Sequence, residues 1–343
     1  MDPQTGGPVP GRAGPGRAGP GREILWEFVS EFIVQRLVRE TRWEQAVALQ
    51  VQRIDHEHRS LTVLSQDPVD FDALPSFHSL SRVLGRDRPP DLLRIMREDA
   101  YRGLGVSYSD LGDAFAGMGD ERCLAAYAAA LRIFEALGDT ASSAKTWHQM
   151  ANVHQFVPGL IDLDKAWALA QRSLRARPSR DRHGRALNHG QLANIRFAQA
   201  KELPVGNEAT AALLVEAQEG YERALALMPA VGLRSRGSAH NNLGSVLMMR
   251  GELEEGRRQL LQAVEEYEAV GDLDRASDAR VNLAAALLPF LRFTESREYA
   301  RAALAYFSAA HDEAQVIRCT FVLQGIDMLE GAAGQRDPDR PGR

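Results

Sequence analysis

Two short stretches hold side chains that could do chemistry. The first, Asp55-His56-Glu57-His58-Arg59, sets two imidazoles among two carboxylates, the groups that ligate zinc or move protons. The second, His240-Asn241-Asn242, offers an imidazole and two amides able to hold a ligand by hydrogen bonds. Spacing argues against a metal at the first: on a helix, positions i and i+2 do not face each other, and the HExxH spacing of zinc hydrolases is absent. The two cysteines, Cys123 and Cys319, form no CxxC or Cys/His ligand spacing, and Cys123 falls where a small residue packs. No phosphate loop, dinucleotide fingerprint or GxSxG elbow occurs. No acid, base and oxyanion donor assemble, so the expectation is a non-enzymatic protein without cofactor or metal.

Composition sets the frame. A chain of 343 residues, 44% hydrophobic and 25% charged, can bury a substantial core. A formal net charge of −5 with mixed signs gives no reason to expect nucleic acid or an anionic membrane as partner, and "RLVRETRWEQAVALQV" lacks the glycine turn and basic recognition helix of a DNA-binding pair. The longest uncharged apolar run, 281–291, is too short to span a bilayer. Residues 1–22 repeat Pro-Gly-Arg-Ala-Gly without the apolar core of a secretory signal, and such chain cannot offset its ordering entropy. A soluble, cytoplasmic protein with a disordered first segment is expected.

From Glu23 onward apolar residues recur at spacings of three and four, the helical period. An N-terminal helical pair is predicted over 23–65, a loop or linker rich in Pro, Asp and Ser over 66–89, helices over 90–331, and a disordered tail over 332–343. Within the helices one pattern repeats. His240, Leu243-Gly244 and Leu247 match Tyr108, Leu111-Gly112 and Phe115. The same order recurs at Trp147, Met150-Ala151 and His154, at His189, Leu192-Ala193 and Arg196, and at Arg280, Leu283-Ala284 and Leu287. The rungs are 39, 42, 51 and 40 residues apart, the long interval implying an insertion near "KELPVGNEAT". A second helix follows each first one, as in Ala166, Ala170, Ser173, Pro178 and in Ala217, Tyr221, Ala224, Pro229.

Over about 90–330 this resembles the tetratricopeptide repeat family, whose unit is a helix-turn-helix with aromatic-x2-Leu-Gly-x2-aromatic in the first helix and Ala-x3-aromatic-x2-Ala-x4-Pro in the second. Tyr108 to Phe115 matches the first signature and Ala217 to Pro229 the second. The units exceed the family's ~34 residues, and Arg196 and His154 stand in an aromatic slot. The resemblance implies an all-α, right-handed α-solenoid of stacked helix pairs, closed by a C-terminal cap helix. Small residues at Gly112, Ala151, Ala193, Gly244 and Ala284 let paired helices approach, and His240, in the slot of Tyr108 and Trp147, is expected to be packed.

In that family the adjoining flank of the first helix lines a concave groove that binds an extended peptide or partner helix. The equivalent residues here are His148, Asn152 and Gln155; Asn194; Asn241, Ser245 and Met248; and Val281 and Leu288. Asn152, Asn194 and Asn241 are expected to form a file that pairs with a peptide backbone, with Met248, Val281 and Leu288 receiving an apolar side chain. The competing expectation is that these are ordinary solvated residues and that the C-terminal helix folds over the apolar end. Asn242 and Asn282 are expected to bridge neighbouring helices. Alanine at Asn152 and Asn194 together is expected to weaken binding without lowering the melting temperature. The function implied is a protein or peptide-binding scaffold or adaptor, with a peptide-responsive sensor acting on a separate effector as the alternative and, from another class, an enzyme with an unrecognised site as the third; "VIRCTFVLQGIDML" is apolar enough to cap the array or join two copies.

Overall fold

A computed structural model describes residues 20–66, 91–204 and 206–335; the predicted disordered segment as far as residue 19, the predicted 66–89 linker from residue 67 onward and the end of the tail lie outside them. Thirteen α-helices and one short 3-10 turn are present, and no strand occurs among the described residues. None of these helices is long and apolar enough to cross a membrane. The chain divides into two compact units, one to Asp139 and one from Thr140.

The first unit contains α1 (Pro20–Arg39), α2 (Trp43–Leu64), α3 (Leu92–Gly117) and α4 (Arg122–Ala136). The predicted N-terminal pair is not a separate piece, because α2 packs more extensively on α3 than on α1. The partner, α3, is 26 residues long, and α2 follows it from Gly117 back to Arg97. Trp43 lies against Gly117, where a Cβ would stand 2.7 Å from the indole. Gln50 donates to Asp110 (3.3 Å), and Arg97 Nε to the Leu64 carbonyl (2.8 Å). The DHEHR imidazoles go separate ways: His56 is buried and His58 meets the Tyr108 hydroxyl at 3.4 Å. The buried Cys123 thiol is pushed up in pKa by desolvation.

The second unit is a two-layered helical-repeat solenoid. It runs α5 (Thr140–Phe156), α6 (Leu163–Ala176), α7 (Arg182–Glu202), α8 (Glu208–Leu227), α9 (Leu233–Met249), α10 (Leu253–Ala269), α11 (Leu273–Leu287), the 3-10 turn Leu288–Phe290, α12 (Phe293–Ala309) and α13 (Glu313–Gln335). The first helices α5, α7, α9 and α11 touch one another in succession, whereas no contact of that size joins successive second helices. The first-helix layer is therefore the inner one.

Local sequence explains the joints. Gly271 (φ 70°) and His311 (φ 57°) take the same left-handed turn position after a second helix, a conformation glycine adopts freely and histidine only with some strain. The next residue, Asp272 or Asp312, then caps the following helix by accepting from the backbone N–H of Arg275 or Gln315. Proline ends two second helices: Arg177 and Met228, ahead of Pro178 and Pro229, are extended at ψ 129° and 139°, as a residue before proline must be. The expected insertion is also there, absorbed by helix length. α7 and α8 have 21 and 20 residues, against 17 and 14 in α5 and α6.

Candidate groove site

Helices α5, α7 and α9 set one cavity of about 310 Å³ on the first-helix layer. His148 and Asn152 come from α5, Gly190, Gln191 and Asn194 from α7, and Arg234, Ser235, Ser238 and Asn242 from α9; Tyr221 and Arg275 reach it from α8 and α11. Of the residues expected in the groove, His148, Asn152 and Asn194 meet here. Gly190 is what makes room: a Cβ at this position would touch only the Ala224 methyl, at 4.0 Å.

The amides are wired together. Gln191 Nε2 donates to Asn152 Oδ1 (2.6 Å) and to the His148 carbonyl (2.9 Å). Asn194 Oδ1 accepts twice, from the buried Tyr221 hydroxyl and from Asn242 Nδ2 (2.9 Å). Asn242 Oδ1 accepts from Asn241 Nδ2 (3.0 Å), Asn241 Oδ1 from Asn282 Nδ2 (3.0 Å), and Asn282 Oδ1 from Arg318 of α13 (2.5 Å). Asn242 and Asn282 thus bridge neighbouring first helices, as expected. Asn152 Nδ2 and Asn194 Nδ2 have no protein partner among the described residues and are not buried, which leaves donors for a ligand.

The remaining expected residues lie elsewhere. Gln155 is buried. Asn241 is engaged in the amide chain, and Ser245 Oγ returns to the Asn241 carbonyl (2.9 Å). Met248 is buried with Leu260, Leu283 and Leu287. Val281 is fully buried with Ala303, Phe307 and Cys319, and Leu288 packs beside Ala284, Ala300 and Ile326. These three are core, not an apolar subsite: Met248 packs between α10 and α11, and α13 lies over the flank of α11 that carries Val281 and Leu288. The paired alanine variant also changes meaning: Asn194 holds Tyr221 and Asn242, so its loss lowers stability. His240 is packed as expected, its Nδ1 2.6 Å from Gln259 Oε1.

Gln191, Arg234, Ser235 and Ser238 were not among the expected residues. The serines and Arg234 sit up to two turns before the His240 signature; extending the columns backward along the helix would reach them. Among the described residues, no carboxylate lines the cavity. Arg234 Nε and Arg275 Nε share the single carboxylate of Asp272, at 2.8 and 3.6 Å.

Burial, and then the nearby Arg177 charge, lower the His148 pKa to about 4, and its Nδ1 is buried without a partner. The imidazole is neutral in the folded protein. Above the unfolded value of about 6.5 neither state is protonated and this contribution is fully present. As pH falls from 6.5 towards 4 the unfolded chain takes a proton that the native site refuses, so up to ~3 kcal/mol is lost. Urea unfolding of wild type and His148→Gln at pH 7 and pH 4 should show the stability difference moving in the variant's favour by that order; a pH-independent difference rejects it.

No family model matches the chain, and no curated protein does. Among solved structures, the crystal structure of BtubC (BKLC) from P. vanneervenii is similar at 17% identity, covering 86% of this chain and 95% of that chain, with a TM-score of 0.44.

Proposed function

We propose that residues 140–335 form a tetratricopeptide-type array that binds an extended peptide or a partner helix on its first-helix layer, at the cavity between α5, α7 and α9, and that the protein is a non-enzymatic cytoplasmic scaffold or adaptor. One observation carries this reading: unpartnered amide N–H groups of Asn152 and Asn194 and the serines of α9 converge on a cavity opened by Gly190. Donors at fixed spacing suit a peptide main chain, whose carbonyls recur whatever the sequence.

The test uses the space itself. Gly190→Leu sets a bulky side chain at the cavity wall from a position where a Cβ meets only the Ala224 methyl, and Asn152→Ala removes one donor while Gln191 keeps its bond to the His148 carbonyl. Peptides selected on the wild-type chain from a random display library should bind each variant at least tenfold more weakly. Gly190→Ala should raise stability by about 0.5–1 kcal/mol, the helix-propensity gain, since its methyl makes only ordinary contact. Undiminished peptide binding by both groove variants rejects the reading.

The amide chain favours a second reading, a peptide-responsive sensor. It runs without a break from Asn194 at the cavity to Arg318 in α13, so a ligand that turns the Asn194 amide bears on the cap helix as well. A sensor changes its radius of gyration on binding and an adaptor does not, which small-angle scattering with a selected peptide decides.

A further inference from the structure

The last helix has two faces. Cys319 and Ile326, fully buried, and the partly buried Val316, Val322 and Leu323 seat α13 on α11 and α12. On the opposite side, about 180° away at 100° per residue, Ile317 is 68% exposed and Phe321 and Met328 are each 76% exposed. Ala314, Gln324 and Gly331 lie on the same exposed stripe.

The stripe has an order. Ala314, Ile317, Phe321, Gln324, Met328 and Gly331 are spaced three, four, three, four and three apart, which is the a/d seam of a heptad repeat. That spacing reads the same in both directions. It also places the small residues at the two ends, a large apolar residue next to each, and Phe321 and Gln324 about the middle. We propose that α13 joins two copies of this chain through an antiparallel, two-stranded helical seam on this face. About its two-fold axis Ala314 meets Gly331 of the other copy, Ile317 meets Met328 and Phe321 meets Gln324. Gln324, the one polar residue on the seam, fixes the register, the use to which a single buried polar residue is put in coiled coils.

The area is adequate. The exposed parts of Ile317, Phe321, Met328 and the flanking Leu329 amount to on the order of 500 Å² per copy, so roughly 1,000 Å² in the pair before the rest of the seam is counted, the lower bound for a specific interface. Residues 336–343, Arg-Asp-Pro-Asp-Arg-Pro-Gly-Arg, offer no Leu, Ile, Val, Met or aromatic side chain to place on the seam.

Light scattering and equilibrium sedimentation of the full chain between about 1 and 100 µM test this. The expected mass rises to twice 37.8 kDa. Ile317→Glu/Phe321→Glu should remain at the single mass with unchanged helicity and with the melting temperature of dilute, monomeric wild type, since both side chains face solvent in one copy. A wild type that stays monomeric, because another segment or no partner covers the stripe, overturns the proposal, as does a dimer that survives the double variant. Orientation is read with a short bis-maleimide, both native cysteines being buried. Gln324→Cys should crosslink to itself. Ala314→Cys should not, because the two copies of that residue stand ~25 Å apart along the seam, yet it should crosslink to Gly331→Cys when the two are mixed. Efficient self-crosslinking of Ala314→Cys overturns the antiparallel arrangement.

Discussion

Replacing Gly244 by alanine should destabilise the second unit by about 2–3 kcal/mol, although alanine is the better helix former. A Cβ at this position would lie 2.6 Å from Leu260 Cγ, 2.8 Å from the Gly256 carbonyl oxygen and 3.0 Å from the Leu260 backbone nitrogen. Two of those three atoms are main chain and cannot rotate away. The contact is reciprocal, since a Cβ on Gly256 would stand 3.0 Å from the Gly244 carbonyl oxygen and 2.7 Å from Met248 Cγ. Helices α9 and α10 therefore cross backbone to backbone, and one methyl forces them apart along a core that includes the fully buried Leu260, Leu283 and Leu287. Overpacking against rigid atoms costs at the upper end of the usual 1–3 kcal/mol or beyond, and the helix-propensity gain of about 1 kcal/mol offsets only part. For a unit of this size the melting temperature should fall by roughly 5–10 °C. Gly190→Ala is the control: the same change on the neighbouring first helix, with nothing closer than 4.0 Å, should move stability the other way. Equal effects at the two glycines would show that helix propensity governs both and that the crossing is looser than its geometry.

Gly244 was readable in the sequence because its slot recurs as Gly112, Ala151, Ala193 and Ala284, and every residue of that column is buried. A column of small residues at a constant offset from a large one needs no three-dimensional knowledge to find, since close helix crossing is what demands it. The groove was readable only in direction. Val281 projects from its helix at the same angle as Asn241, which is all that a period of 3.6 residues determines; that α13 lies on that flank and buries it is a tertiary fact. The asparagines divide the same way. Their polarity suggested hydrogen bonding, but whether Asn194 bonds to a ligand or to Asn242 of the next rung depends on the distance between α7 and α9, which no pattern within one helix encodes. The place of α2 was hidden for a related reason: its partner α3, which it follows from Arg97 to Gly117, lies across a segment of chain with no helical period.

Asn194→Ala should cost about 2–4 kcal/mol, more than any other single change in the amide chain. Its Oδ1 is the acceptor for two donors, the Tyr221 hydroxyl and Asn242 Nδ2. Tyr221 is 1% exposed, and burial raises its pKa, so the hydroxyl remains a neutral donor that must find an acceptor. Leaving a buried donor unsatisfied costs its desolvation, about 1–3 kcal/mol, whereas deleting a donor and leaving its acceptor otherwise bonded costs only about 1 kcal/mol. Tyr221→Phe is the second case, because Asn194 keeps its bond from Asn242. The two changes should therefore not add. With the hydroxyl gone, Asn194→Ala orphans one donor instead of two, and Tyr221→Phe/Asn194→Ala should be no less stable than Asn194→Ala alone, a coupling of at least ~1 kcal/mol in urea unfolding. Additive costs would mean that the Tyr221 hydroxyl already finds water through the adjoining cavity. In that case Asn194 contributes its amide to the groove and not to the core, and the paired Asn152→Ala/Asn194→Ala variant regains its value as a test of binding alone.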